Sequence, residues 1–151
     1  VRRADVLAYI GPVCAYPTGF LFSLTICPAP GGAGDAMIGF GAGGVQGRGP
    51  VIRVQVRFGG EVVDSAVRGT GRVVAGRSLL RDCGARSTGR VGHPHPRSES
   101  RWWVSPLPQA GPVEFAVFLP GEAEQSGAAR MDASQVISAA GRSAVLWAEP
   151  G

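Results

Sequence analysis

The chain reads as an all-β protein: an antiparallel β-sandwich of about seven strands, with one short helix near the C-terminus and long Gly-rich loops. Three observations point there. Residues 51–58, Val-Ile-Arg-Val-Gln-Val-Arg-Phe, alternate apolar and polar side chains with the period of two expected of a strand with one buried face. The same alternation recurs at 20–26 and 113–119. Between these runs lie turn signals rich in Gly and Pro, with 24 and 12 of these residues in 151.

The first strand is expected from Asp5 to Ala15, with Val6, Ala8 and Ile10 alternating against Leu7 and Tyr9. Tyr16-Pro17-Thr18-Gly19 forms a turn, in which Pro presets φ and Gly tolerates a positive φ after it. Phe20 to Cys27 returns as the second strand, with Phe20, Phe22, Leu24 and Ile26 on one face. Residues 28–50 form a long Gly-rich loop. The strand at 51–58 follows, then Gly59-Gly60 as a tight hairpin turn and Glu61 to Val67 as its partner.

Residues 68–100 are rich in Arg, Gly, Ser and Pro and are expected to be a second long flexible loop, in which Val73, Val74, Leu79 and Leu80 could make one short strand or turn that docks on the body. Order resumes at Arg101, where Trp102 and Val104 share one side and Trp103 takes the other. A Pro-rich turn from Pro106 to Pro112 is expected to fold Val113 to Leu119 back as the second arm of a hairpin. Ala128 to Met131 has the length of a short strand. Asp132 is placed to cap a helix over Ala133 to Ala140, with Gly141 as its terminator, and Ala144 to Trp147 closes the chain as a last strand.

At 151 residues the chain is read as one domain. Every one of its 15 basic residues is Arg. Without Lys there is no phosphate-loop lysine, Schiff base or lysine general base. Without Asn there is no N-glycosylation acceptor. The net charge of +4 is modest. Because the aromatic residues sit in strands and the arginines in loops and at strand ends, nucleic acid is disfavoured as a partner. Cys14, Cys27 and Cys83 form no close pair; a Cys14–Cys27 bridge across the first hairpin is possible, but buried thiols in a reducing compartment fit better. No run approaches the ~20 apolar residues of a membrane span. A soluble cytoplasmic protein without a cofactor is expected.

The tract Trp103-Val104-Ser105-Pro106-Leu107-Pro108, followed by Gly111-Pro112-Val113-Glu114-Phe115, resembles an uncharacterised family of small actinobacterial proteins with a W-V-x-P-L-P-P-x-G-P hairpin. The resemblance spans about two-thirds of the chain and implies a β-sandwich-like fold without implying an activity. Gly59-Gly60 stands where members of that family have Ala-Asp-Gly, and Phe118-Leu119-Pro120 where they have Glu-Trp-Pro nearby.

Candidate chemistry is sparse. His93 and His95, the only histidines, form a His-x-His pair that a metal can bridge from extended backbone, with Cys83 or Asp82 to complete a ligand set. The Pro residues around His95 and the missing second ligand pair favour solvated loop histidines instead. Gly39-Phe40-Gly41-Ala42-Gly43-Gly44 matches a dinucleotide fingerprint, but Val45 to Pro50 cannot begin the helix that it requires. Trp102 and Trp103 are the binding candidates, since adjacent strand residues face opposite ways and one must leave the main core. The expected function is a non-catalytic protein–protein interaction or assembly module, with an unknown protein or a second copy as partner. The alternatives are a metal-dependent hydrolase using His93 and His95, and a carbohydrate-binding module using Trp103.

Overall fold

The computed structural model describes residue 2 and residues 6–29, 52–65, 78–88 (85–88 by backbone alone), 97–119, 122 and 124–143. Eight strands and one helix follow in order: β1 (Val6–Tyr16), β2 (Gly19–Pro28), β3 (Arg53–Phe58), β4 (Glu61–Asp64), β5 (Leu79–Thr88), β6 (Arg97–Ser105), β7 (Pro112–Phe118), β8 (Gly127–Asp132) and α1 (Ala133–Gly141). They form two unclosed four-stranded antiparallel sheets, ordered β1-β2-β6-β5 and β4-β3-β7-β8. The all-β sandwich with one C-terminal helix is as the alternation predicts.

Successive hairpins are dealt to alternate sheets. β1–β2 and β5–β6 join through β2 and β6, while β3–β4 and β7–β8 join through β3 and β7. The Gly59-Gly60 turn has φ of 56° and 79°, the two positive values that a two-residue hairpin turn needs and glycine supplies.

Gly19 serves a different purpose from the one its turn position implies. Its φ is ordinary, but a Cβ there would run into the Val104 carbonyl oxygen and come within 2.7 Å of the Trp103 ring. The glycine lets β6 approach the end of the first hairpin.

Inward-facing side chains form one continuous core. Phe20, Phe22, Leu24 and Ile26 of β2 meet Val54 and Val56 of β3, Trp102 and Val104 of β6, and Val113, Phe115 and Val117 of β7. Each large aliphatic or aromatic side chain buried this fully stabilises the fold by roughly 1.5–3 kcal/mol. At the centre, the Phe115 ring meets Phe22 at 4.9 Å and Phe20 at 6.3 Å, both edge-to-face. Aromatic rings prefer this geometry because the positive ring edge points at the negative face.

Three expectations are corrected. The tract from Trp103 to Phe115 is no hairpin: β6 pairs with β2 and β5, β7 pairs with β3 and β8, and the six residues between them cross from one sheet to the other. This crossing includes a cis Ser105–Pro106 bond. Residues 68–100 are not one loop, for β5 occupies 79–88, starting at the Leu79 and Leu80 of the short strand thought possible there, and β6 begins at Arg97; Val73 and Val74 lie outside the described residues. Lastly, Gly141 does not end α1 through a positive φ; the helix closes on Arg142 in right-handed conformation, whose N–H bonds the Ala139 carbonyl.

Helix α1 starts where predicted. Asp132 is extended, and its carboxylate accepts the Ser134 N–H at 2.8 Å. The Ala133 N–H donates to the Gly111 carbonyl, tying the first turn of the helix to the β6–β7 crossing. Ala133, Val136 and Ala140 face the core. The helix leaves β8 at the edge of one sheet and packs chiefly on β1 at the edge of the other. It thereby closes one flank of the sandwich. The expected loop at 28–50 and the last strand at 144–147 fall, apart from Pro28 and Ala29, outside the described residues.

Candidate interaction surfaces

The outer face of β4-β3-β7-β8 carries a polar chain built from the odd residues of β3. Asp64 accepts Arg53 Nε at 2.8 Å and Gln55 Nε2 at 2.7 Å, and Gln55 Oε1 accepts Arg57 Nη2 at 3.2 Å. These meet because Gln55 and Asp64 are cross-strand partners. The bonded carboxylate holds the Arg53 guanidinium pKa above its ordinary value. Arg53 also lies 4.8 Å over the Phe118 ring, a cation–π contact on the same face. Each of these four side chains is tied to a neighbour, so the chain stiffens the sheet and presents no nucleophile.

Towards β8 the face changes. Glu114 and Arg130 are paired across strands at 3.6 Å, and beside them Ala116 and Ala128 leave a hollow of about 320 Å³ bordered by Arg57 and Gln125. Small side chains on adjacent strands make this hollow. A second hollow lies at the other end of β8, against Gly111, Pro112, Met131 and Asp132.

Among the described residues, β8 is the one sheet edge with neither a register break nor a four-residue limit, although α1 packs along the flank that it shares with β1. β1 has a register break between Ile10 and Val13, β5 has one between Asp82 and Ala85, and β4 is four residues long. Bulges and short length are the ordinary means of blunting an edge. β8 keeps unbroken register with β7 over six residues, and Ala128, Ala129 and Arg130 are all exposed.

The outer face of β1-β2-β6-β5 is of another kind. Register and parity put Leu7, Tyr9, Cys14 and Tyr16 of β1 on it, with Leu21, Ser23, Thr25 and Cys27 of β2, Arg97, Glu99, Arg101 and Trp103 of β6, and Arg81 of β5. Tyr9 and Tyr16 are each 44% exposed. Tyr16 and Trp103 are tilted against each other with ring centroids 5.5 Å apart. Trp103 is half-buried because its indole lies over Gly19.

The residues singled out from sequence are thus separated. Trp102 is 2% exposed and its indole N–H donates to buried Ser100 Oγ at 2.7 Å, so it is a core residue without access to a ligand. Trp103 is the member of the pair on the outer face. Cys83 is exposed at the β5 bulge, where its thiol bonds the Arg81 carbonyl, and Asp82 accepts the Gly84 N–H. His93 and His95 lie outside the described residues. Among the described residues, no three His, Cys, Asp or Glu side chains gather around a common point. All three cysteines are free, as favoured over a Cys14–Cys27 bridge, but Cys14 and Cys83 are exposed and Cys27 is half-buried, which corrects the expectation of buried thiols. An Arg-paired or solvated role is what sequence favours for Asp64 over a carboxylate pair, and the Arg53 bond agrees; sequence did not show that Gln55 joins them or that β8 is an edge. The β3 alternation was the available signal for Gln55, and the β8 edge had none.

No described helix is long and apolar enough to cross a membrane. No family model, no curated protein and no solved structure matches the chain.

Proposed function

We propose that the chain is a non-catalytic protein–protein interaction and assembly module, and that two copies pair antiparallel along β8. The observation that carries this reading is the contrast among the four sheet edges, of which β8 alone has neither a register break nor a four-residue limit. An open edge offers a row of backbone donors and acceptors to another strand, and backbone bonds then supply much of the affinity.

The side chains narrow the register. A two-fold axis normal to the sheet keeps the outer faces of both copies on the same side, so opposed residues must have equal parity. Centring on Arg130 would oppose two like charges, which is destabilising. Centring on Ala129 instead sets Arg130 across from Ala128 of the partner subunit. There the long side chain meets the hollow floored by Ala116 and Ala128, within the field of Glu114. The pairing would extend each four-stranded sheet into an eight-stranded one.

Light scattering over a concentration series tests this directly. The wild-type chain is expected to shift from monomer to dimer as concentration rises. Ala128→Arg, which fills the hollow and opposes two arginines at an exposed site, is expected to stay monomeric with an unchanged circular dichroism spectrum. A wild-type chain monomeric throughout, or an Ala128→Arg variant that dimerises equally well, overturns the proposal.

A further inference from the structure

The outer face of β1-β2-β6-β5 lies on the sheet opposite to the β8 edge, and its chemistry is different. It combines two features that single-stranded nucleic acid requires and few other ligands use together: π-faces for bases and fixed cations for phosphates. We infer that this face binds single-stranded nucleic acid. The aromatic side is Tyr16 with Trp103 at one end and Tyr9 towards the other. The strand between the two tyrosines advances roughly 20 Å at ~3.3 Å per residue, enough for several nucleotides.

The cationic side runs beside it. Arg81 is the cross-strand partner of Trp103, and Arg101 is that of Ser23, on the same face. Neither Arg81 nor Arg101 takes part in the ion pairs Arg53–Asp64 and Arg130–Glu114. Arg97 adds a third positive charge, and Glu99 is the one acidic residue of this face among the described residues. Among the described residues, the face thus carries more arginines than carboxylates, within a chain of net charge +4.

Charge and shape together select the ligand. An acidic peptide would satisfy the arginines and leave the rings unused. A neutral glycan would stack on Tyr16 or Trp103 and leave Arg81 and Arg101 without a counter-charge. A duplex hides its bases from stacking. Unpaired bases joined by phosphates engage both rows. Their sequence should matter little, because every base has a π-face.

The experiment is fluorescence anisotropy of a labelled oligothymidylate of about 12 nucleotides, within the ~4–16 that a small β-fold accommodates. The full chain is titrated at low and at physiological salt. Binding is expected to weaken steeply with salt and to quench Trp fluorescence. Arg81→Glu with Arg101→Glu should weaken it by at least about tenfold, and Tyr16→Ala by about tenfold. Tyr9→Ala should weaken it similarly, and this exposed residue serves if Tyr16→Ala fails to fold. Arg142→Glu, at the far end of α1, should leave it unchanged. No anisotropy change with the folded wild type overturns the proposal. So does equal loss in Arg142→Glu, equal affinity for duplex DNA, or equally good competition by polyglutamate. Loss of dimerisation through β8 would leave every one of these readouts in place.

Discussion

The indole N–H of Trp102 donates to the hydroxyl of Ser100 two residues back on the same face of β6, and both residues are buried. A tryptophan enters this core because a serine, fully enclosed, accepts its one polar atom. Ser100→Ala is expected to destabilise the fold by about 1–3 kcal/mol in urea unfolding, since it leaves a buried donor unsatisfied. The Ser100→Ala/Trp102→Phe double variant should cost less than the sum of the two single changes. Strict additivity would mean that the hydrogen bond contributes nothing.

Phe115 sits between Phe20 and Phe22 and joins the two sheets at their centre. Phe115→Ala should lose about 3–5 kcal/mol, because both the buried ring and the packing around its cavity are lost. Phe115→Leu, closer in volume, should lose clearly less. Equal urea midpoints for these two variants would contradict the packing described here.

Gly19 and Gly59 are both hairpin glycines with opposite reasons for being so. Gly59→Ala meets open space and suffers only from its φ of 56°. Gly19→Ala has an ordinary φ and drives a methyl group into the Val104 carbonyl and the Trp103 ring. Gly19→Ala should therefore change the emission of Trp103 as well as lowering the melting temperature. Gly59→Ala should lower the melting temperature alone.

Asp132 caps α1, and hydrogen bonds from Ser134 to its ionised form hold its pKa below the ordinary carboxyl value. A lowered folded pKa means that the contribution of the cap is complete above the unfolded value of ~3.9. It is lost as pH falls through the folded value. Asp132→Ala should lower the melting temperature at neutral pH by about 2–4 °C, a typical loss for an N-cap. The gap between wild type and variant should then close as the pH drops below that range. Asp132→Asn keeps the acceptor without the titration, so its deficit should not follow this pH course.

Strand after strand was legible because alternation is local. Val54, Val56 and Phe58 are buried and Arg53 and Arg57 face outward, as their spacing alone requires. β5 and the start of β6 were obscured because their inward positions include Asp82, Ser98 and Ser100, so the apolar half of the pattern is missing. The β6–β7 crossing was mistaken for a hairpin for a related reason. Two apolar strands around a Pro- and Gly-containing turn look alike in sequence whether they pair edge to edge or face each other across a core ~10 Å thick.

The candidate surfaces were less visible still. Tyr9, Tyr16, Trp103, Arg81 and Arg101 are each in plain view in the sequence, yet their positions in separate strands give no sign of a shared face. Strand membership does not say which residues become neighbours. Tyr16 lies 87 positions from Trp103 in the chain, and only the β2 strand between their strands brings the rings to 5.5 Å.

By itself, then, the sequence determined the fold class, the faces of its best strands and the cap of its helix. Each depends on side-chain spacing over a few residues, and backbone geometry converts that spacing directly into inside and outside. Tertiary structure decided which hairpins share a sheet, which edge stays open and which aromatics meet which arginines. Those outcomes depend on pairings between distant segments, settled by how whole faces bury against one another.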